Sequence, residues 1–208
     1  MAKEKGPSLT QRIYGEILEM VIQLSDACDG VVLTEGALTE RFGVSKAPVR
    51  EALVQLCAEG VLRSMPRYGY AIVRMDDGDV RELKDLRCTL ECTALERAFP
   101  RICPADIAAL SERIRAAQAE AYESIWQVWE DNTQFHLALA ALEGNRYTLR
   151  FLRESLSLQK RAYAQLHYQR QHSTRSFFDP TSHRAICDAL AGGELAQALA
   201  ALRQDILG

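Results

Sequence analysis

The chain has 208 residues, 48% of them hydrophobic and 25% charged, with a formal net charge of −3. That supplies a core for one large domain or two modest ones and excludes global disorder. No apolar run is long enough to span a bilayer and no charged-apolar-cleavage pattern opens the chain, so a cytoplasmic protein without membrane contact is expected.

Residues 1 to 8 read as a loose arm. From Leu9 the apolar positions Ile13, Ile17, Met20, Val21 and Leu24 repeat at helical spacing, up to turn signals at Asp26–Gly30. Thr34 is a good cap for a short helix with Ala37, Leu38 and Phe42 inside. Arg41–Leu56 then reads as a helix end, a turn at Gly43 and a second helix. Ser45 is the expected N-cap of that helix and Pro48 lies in its first turn. Val49, Leu53 and Leu56 share one face, and Lys46 and Arg50 lie on another. A helix start of small residues with two cations suits a duplex groove; an ordinary surface helix would share the periodicity.

After Gly60 the period changes. Val61–Met65 and Tyr70–Met75 are β-prone runs around Pro66–Gly69, which predicts a hairpin with Arg67 and the exposed backbone of Gly69 at its tip. Three helices and a two-stranded wing make a winged helix-turn-helix. Arg41–Arg74 holds six cations against Glu51 and Glu59, a local excess of +4 in a slightly acidic chain.

The acidic turn Asp76–Asp79 is the expected boundary, giving domains over 1–75 and 76–208. Helices are expected over Val80–Phe99 (with Val80, Leu83, Leu86, Leu90 and Leu95 as its apolar stripe), Pro104–Ala121, Ser124–Leu142, Arg146–His172, Thr181–Ala191 and Glu194–Leu207. Phe177–Pro180 reads as a loop. Short connections predict a mainly α protein whose second half is an antiparallel bundle of about six helices. The six cysteines (Cys28, Cys57, Cys88, Cys92, Cys103 and Cys187) form no C-x-x-C pair, and are expected to be reduced and to serve packing.

Leu38–Leu53, with this order of elements, resembles the winged-helix domain of the GntR superfamily of bacterial transcription regulators. The second half resembles the helical FCD domain of the FadR subfamily in its shorter, VanR-like form, through Arg87–Glu91, Phe135-His136 with Gly144-Asn145, and His183–Leu190. The resemblance implies a cytoplasmic homodimer on a pseudo-palindromic operator, responding to a small organic acid bound in the bundle, and no enzymatic activity. The DNA contacts implied are Ser45, Lys46, Ala47, Pro48, Arg50, Arg67 and Gly69. Lys46 stands where relatives carry Arg, a point charge in place of a fork, and Gly36 stands where a charged side chain is usual.

Many relatives hold a divalent metal with an Asp four residues before the Phe-His histidine, that histidine, and two more from the fifth and last bundle helices. Here the set becomes Asn132, His136, His183 and Asp205, with the carboxylate moved to another helix. These remain workable ligands for Zn²⁺, Ni²⁺ or Mn²⁺, though hydrogen-bonded core histidines would satisfy the same positions. Arg87 and Tyr163 are the implied effector contacts, and for Arg87 a salt bridge to Glu91 is the competing role. A metal-free bundle serving only dimerisation, or a metal-dependent hydrolytic site, are the alternatives.

Overall fold

The computed structural model describes residues 8–24, 31–119, 125–167 and 180–208. The chain falls into two compact units, with the main boundary between Met75 and Asp76.

In the first unit, α1 (Leu9–Gln23) buries Ile13, Ile17 and Val21, one per turn, and packs against α3 (Lys46–Ala58). Between them in the chain lies α2 (Glu35–Phe42), which packs on α3. Thr34 Oγ1 accepts a hydrogen bond from the Ala37 amide at 3.2 Å, and Gly43 closes α2 in the left-handed conformation, φ 61°. Val49, Ala52, Leu53 and Leu56 of α3 are fully buried, while Lys46, Ala47 and Arg50 are exposed. Ser45 occupies the N-cap position of α3 but its hydroxyl makes no capping bond. Its expected capping role is therefore not taken up.

The hairpin pairs β2 (Leu62–Met65) with β3 (Gly69–Ile72), antiparallel from Leu62 opposite Ile72 to Met65 opposite Gly69. The sheet has a third strand that the sequence did not announce. The two-residue β1 (Val32–Leu33) pairs with β3, giving the order β1-β3-β2. Two residues are too few for alternation to show.

That third strand corrects the expectation for Gly69. It is no exposed tip but is half-buried, with φ 124°, and a Cβ built there would stand 2.3 Å from the Leu33 carbonyl oxygen. Gly69 is needed so that β1 can approach. Gly69→Ala should cost at least about 2 kcal/mol, since forbidden backbone and clash add, checked by thermal melting. The exposed tip is Pro66, Arg67 and Tyr68, with Arg67 itself at φ 69°.

The second unit holds six helices among the described residues: α4 (Asp77–Ala98), α5 (Pro104–Ala119), α6 (Ile125–Ala141), α7 (Arg146–His167), α8 (Pro180–Ala191) and α9 (Leu195–Leu207). A 3₁₀ turn, Phe99–Arg101, follows α4. The acidic turn at 76–79 is the cap of α4. Asp76 Oδ1 accepts from the Asp79 amide at 3.0 Å, and the Asp76 amide donates to Asp79 Oδ2 at 2.7 Å. The expected last turn of α7, to His172, and most of the loop before Pro180 lie outside the described residues.

α9 packs on α4 and α8, α5 on α8 and α6, and α6 on α4. Leu95, Leu110, Ile114, Phe135, Leu139, Ile186 and Leu202 form the centre of that core. The expected stripe of α4 is only partly the buried one. Leu86 is 46% exposed, whereas Arg87 and Glu91 are buried beside Cys92, Ala94 and Leu95. Arg87 and Glu91 take the inner face where Leu86 was expected. None of the described helices is long and apolar enough to cross a membrane.

Candidate functional site

Three helices bring His136 (α6), His183 (α8) and Asp205 (α9) together. One donor atom from each lies within 4.8 Å of the others. The two Nε2 atoms are 3.3 Å apart, and Asp205 Oδ2 lies 3.0 Å from His136 Nε2 and Oδ1 3.5 Å from His183 Nε2. Two nitrogens on a tetrahedral zinc with bonds of about 2.05 Å would be ~3.3 Å apart. Both rings are fully enclosed, and Asp205 is 10% exposed.

The ring orientations have identifiable causes. His136 Nδ1 donates to Glu91 Oε2 at 2.6 Å, which turns Nε2 inward toward Asp205. Phe135, next to His136 on α6, stacks on the His183 ring with centroids 3.8 Å apart and planes within 13°. The donor set of two imidazoles and a carboxylate fits a divalent first-row ion, and the carboxylate–histidine contact behind it is the support such ligands use. Asn132 is half-buried one turn before His136 on α6.

Behind His136 the polar chain continues. Arg87 Nε donates to Glu91 Oε1 at 3.0 Å and Nη1 to Gln159 Oε1 of α7 at 2.6 Å. Arg87 therefore makes the Glu91 salt bridge first. Its Nη2 is buried with no hydrogen-bond partner among the described residues, as is Ser155 Oγ, one turn before Gln159 on α7. The Tyr163 side chain lies outside the described residues. Glu91 and Gln159 are site residues that the sequence did not assign; an i, i+4 spacing from Arg87 was the one visible signal for Glu91.

Electrostatics follow from the pairing. Burial disfavours charge on Asp205, but hydrogen bonds from His136 and His183 outweigh it and hold the carboxyl far below its usual range. Burial opposes the Glu91 charge too, and His136 with Arg87 holds its pKa down. For His136 burial is again the largest influence, and the Glu91 carboxylate more than offsets it, raising the imidazole. His183 is lowered, chiefly by burial.

In the first unit, Arg41, Lys46, Arg50, Arg63, Arg67 and Arg74 are all exposed. Arg50, on the outer face of α3, is clasped by Glu35 through Nε to Oε1 at 3.0 Å and Nη2 to Oε2 at 2.8 Å. Its 63% exposed side chain is thus held in one place.

Comparison with known proteins covers both units. The FCD domain family matches residues 71–207, and the family of bacterial regulatory proteins, gntR family, matches residues 9–72. An HTH-type transcriptional regulator in an unstable DNA locus of Streptomyces ambofaciens is 28% identical over 70% of this chain and 61% of its own length. The HTH-type transcriptional regulator McbR of Escherichia coli is 28% identical over 66% of this chain and 62% of its own. The chain spans about three fifths of the length of the curated relatives it matches. The solved structure of Lar, which controls the expression of the Listeria monocytogenes agr system, superposes with a TM-score of 0.72 at 18% identity, over 98% of this chain and 95% of that one. At that identity the likeness is one of fold.

Proposed function

Because the chain belongs to the GntR family of transcription regulators, in the FadR subfamily that carries an FCD domain, we propose that it is a metabolite-responsive regulator. It binds operator DNA as a homodimer through the 1–75 unit and is switched by a small organic acid in the 76–208 unit. The observation that carries the DNA half is the exposed face of α3. Its N-terminus has no side-chain cap, the adjoining residues Ser45, Ala47 and Pro48 are small, and Lys46 and Arg50 flank it. Free amides at a helix start receive phosphate, and small residues let the backbone approach. Arg67 extends the positive surface along the hairpin.

Affinity of the dimer for DNA upstream of its own gene, measured at several salt concentrations, tests this. Arg50→Ala should weaken that binding about 10–100-fold, and unchanged affinity would remove α3 as the reading helix.

In the bundle, His136, His183 and Asp205 would hold a divalent ion, with the Asn132 amide as the proposed fourth ligand. Zn²⁺, Ni²⁺ and Mn²⁺ suit the set. The ion would supply a Lewis-acidic anchor for carboxylate or hydroxyl oxygens. Arg87, with Nη2 still to be satisfied, is the proposed second contact for an acid, since a buried guanidinium N–H gains most from an anionic acceptor. Tyr163 remains a proposed lining residue. Glu91 would join the two halves of this pocket, because it hydrogen-bonds both Arg87 and His136. A bundle used only for dimerisation would have no need of two histidine Nε2 atoms meeting one carboxylate between three helices, one of them braced from behind by Glu91. The relatives are regulators, and no catalytic step is assigned.

A further inference from the structure

We propose that Glu35 is a positioning residue for sequence reading: it fixes the Arg50 guanidinium so that one edge faces the duplex as a ready-made fork. This rests on the DNA-binding function proposed above. Glu35 opens α2 and reaches Arg50 on α3, fifteen residues later, through three short contacts: Nε to Oε1 at 3.0 Å, Nε to Oε2 at 3.2 Å and Nη2 to Oε2 at 2.8 Å. The Tyr70 phenol of β3 donates to Oε1 at 3.3 Å. One carboxylate thus ties the first turn of α2, the outer face of α3 and the hairpin.

The chemistry of the fork gives this a consequence. A guanidinium has five N–H donors. Glu35 engages the edge made by Nε and Nη2, which leaves both hydrogens of Nη1 and one of Nη2. One from each of Nη1 and Nη2 forms the end-on edge that guanine O6 and N7 accept bidentately. Held in this way, Arg50 gives up little freedom on binding, which favours the one arrangement that fits.

The cost falls on the other component of binding. A carboxylate on a DNA-facing surface neutralises Arg50 and weakens its sequence-independent attraction to phosphates. Hydrogen bonding by Arg50 also holds the Glu35 pKa below its ordinary value, so the pair is charged wherever DNA is bound. Glu35 therefore exchanges general affinity for discrimination.

Enrichment from a random-sequence duplex library by the full-length wild-type chain yields the probe duplex, and a scrambled duplex of equal length is the reference. In Glu35→Gln, binding to the scrambled duplex should tighten several-fold, since one negative charge is gone. Binding to the enriched duplex should weaken, so that the ratio of the two affinities falls about tenfold or more. The library enriched by this variant should lose a guanine preference at one position of each half-site. Glu35→Asp, which keeps the charge but is too short to span both nitrogens, should lower the ratio and leave scrambled binding unchanged.

In an Arg50→Ala background, Glu35→Gln should lower the ratio no further. A role in folding alone would give the same loss with or without Arg50. An unaltered ratio in both Glu35 variants, or an equal fall without Arg50, overturns the assignment. If the wild-type chain enriches no sequence, the DNA-reading function fails first, and this inference falls with it by a separate observation.

Discussion

Glu91→Leu should destabilise the helical unit by about 3–5 kcal/mol, because it removes one partner of a buried charged pair. Glu91 is 1% exposed and Arg87 3%. With the carboxylate gone, the Arg87 guanidinium keeps its charge in an apolar setting, with Gln159 alone among the described residues to accept from it. His136 loses its Nδ1 acceptor at the same time. The expected loss is thus not the value of one salt bridge but the desolvation left exposed when the bridge is halved. Arg87→Met combined with Glu91→Leu should recover much of it, since both charges then leave together.

Urea unfolding measures both variants. Trp126 and Trp129 both lie in α6, so their fluorescence reports the helical unit specifically. If the single variant loses less than about 1 kcal/mol, the size of a surface pair, then Glu91 does not hold the interior together. Equal losses in the single and double variants would show that packing, and not the stranded charge, sets the cost.

The second large effect concerns the ion. Wild-type protein given Zn²⁺ at about 100 times its dissociation constant should gain ~2.7 kcal/mol of stability, because the ion binds the native arrangement and not the unfolded chain. His136→Ala with His183→Ala should abolish that gain and the metal found by elemental analysis of the purified protein. Asp205→Asn should weaken it, as a neutral amide replaces the carboxylate of the proposed set. Equal metal content in wild type and the double histidine variant would remove these residues as ligands. Stability without added metal is a separate readout, so loss of binding is distinguished from loss of fold.

How far the sequence led depended on the range of each interaction. Val49, Leu53 and Leu56 could be placed inside because helical spacing is local, and all three are buried. Thr34 and Gly43 were legible as helix ends for the same reason, since a cap acts within four residues. Ser45 shows the limit of that logic. The residue type is right for a cap, but the hydroxyl makes no such bond.

What escaped was set by tertiary pairing. Leu86 fits the apolar stripe of α4 yet lies outward, because Glu91 finds His136 forty-five residues later and turns the polar side of α4 inward. Glu35 and Arg50 are separated by a turn whose geometry no periodicity encodes. β1 becomes a strand only because β3 is there to receive it. The histidine pair and Asp205 were legible through family likeness; their convergence on one point is a property of three packed helices.

The move of the carboxylate to Asp205 has a mechanical side. An ion between His136, His183 and Asp205 would rivet α6, α8 and α9 at one spot. Without it, α9 is held by Leu199, Leu202, Ile206 and their neighbours and by the contacts of Asp205 with His136 and His183. Apolar contact has no preferred direction, so those polar contacts already fix the register of α9 on α6 and α8. Loading the ion would replace them with coordination bonds at the same spot, so the last helix would gain stiffness and keep its position.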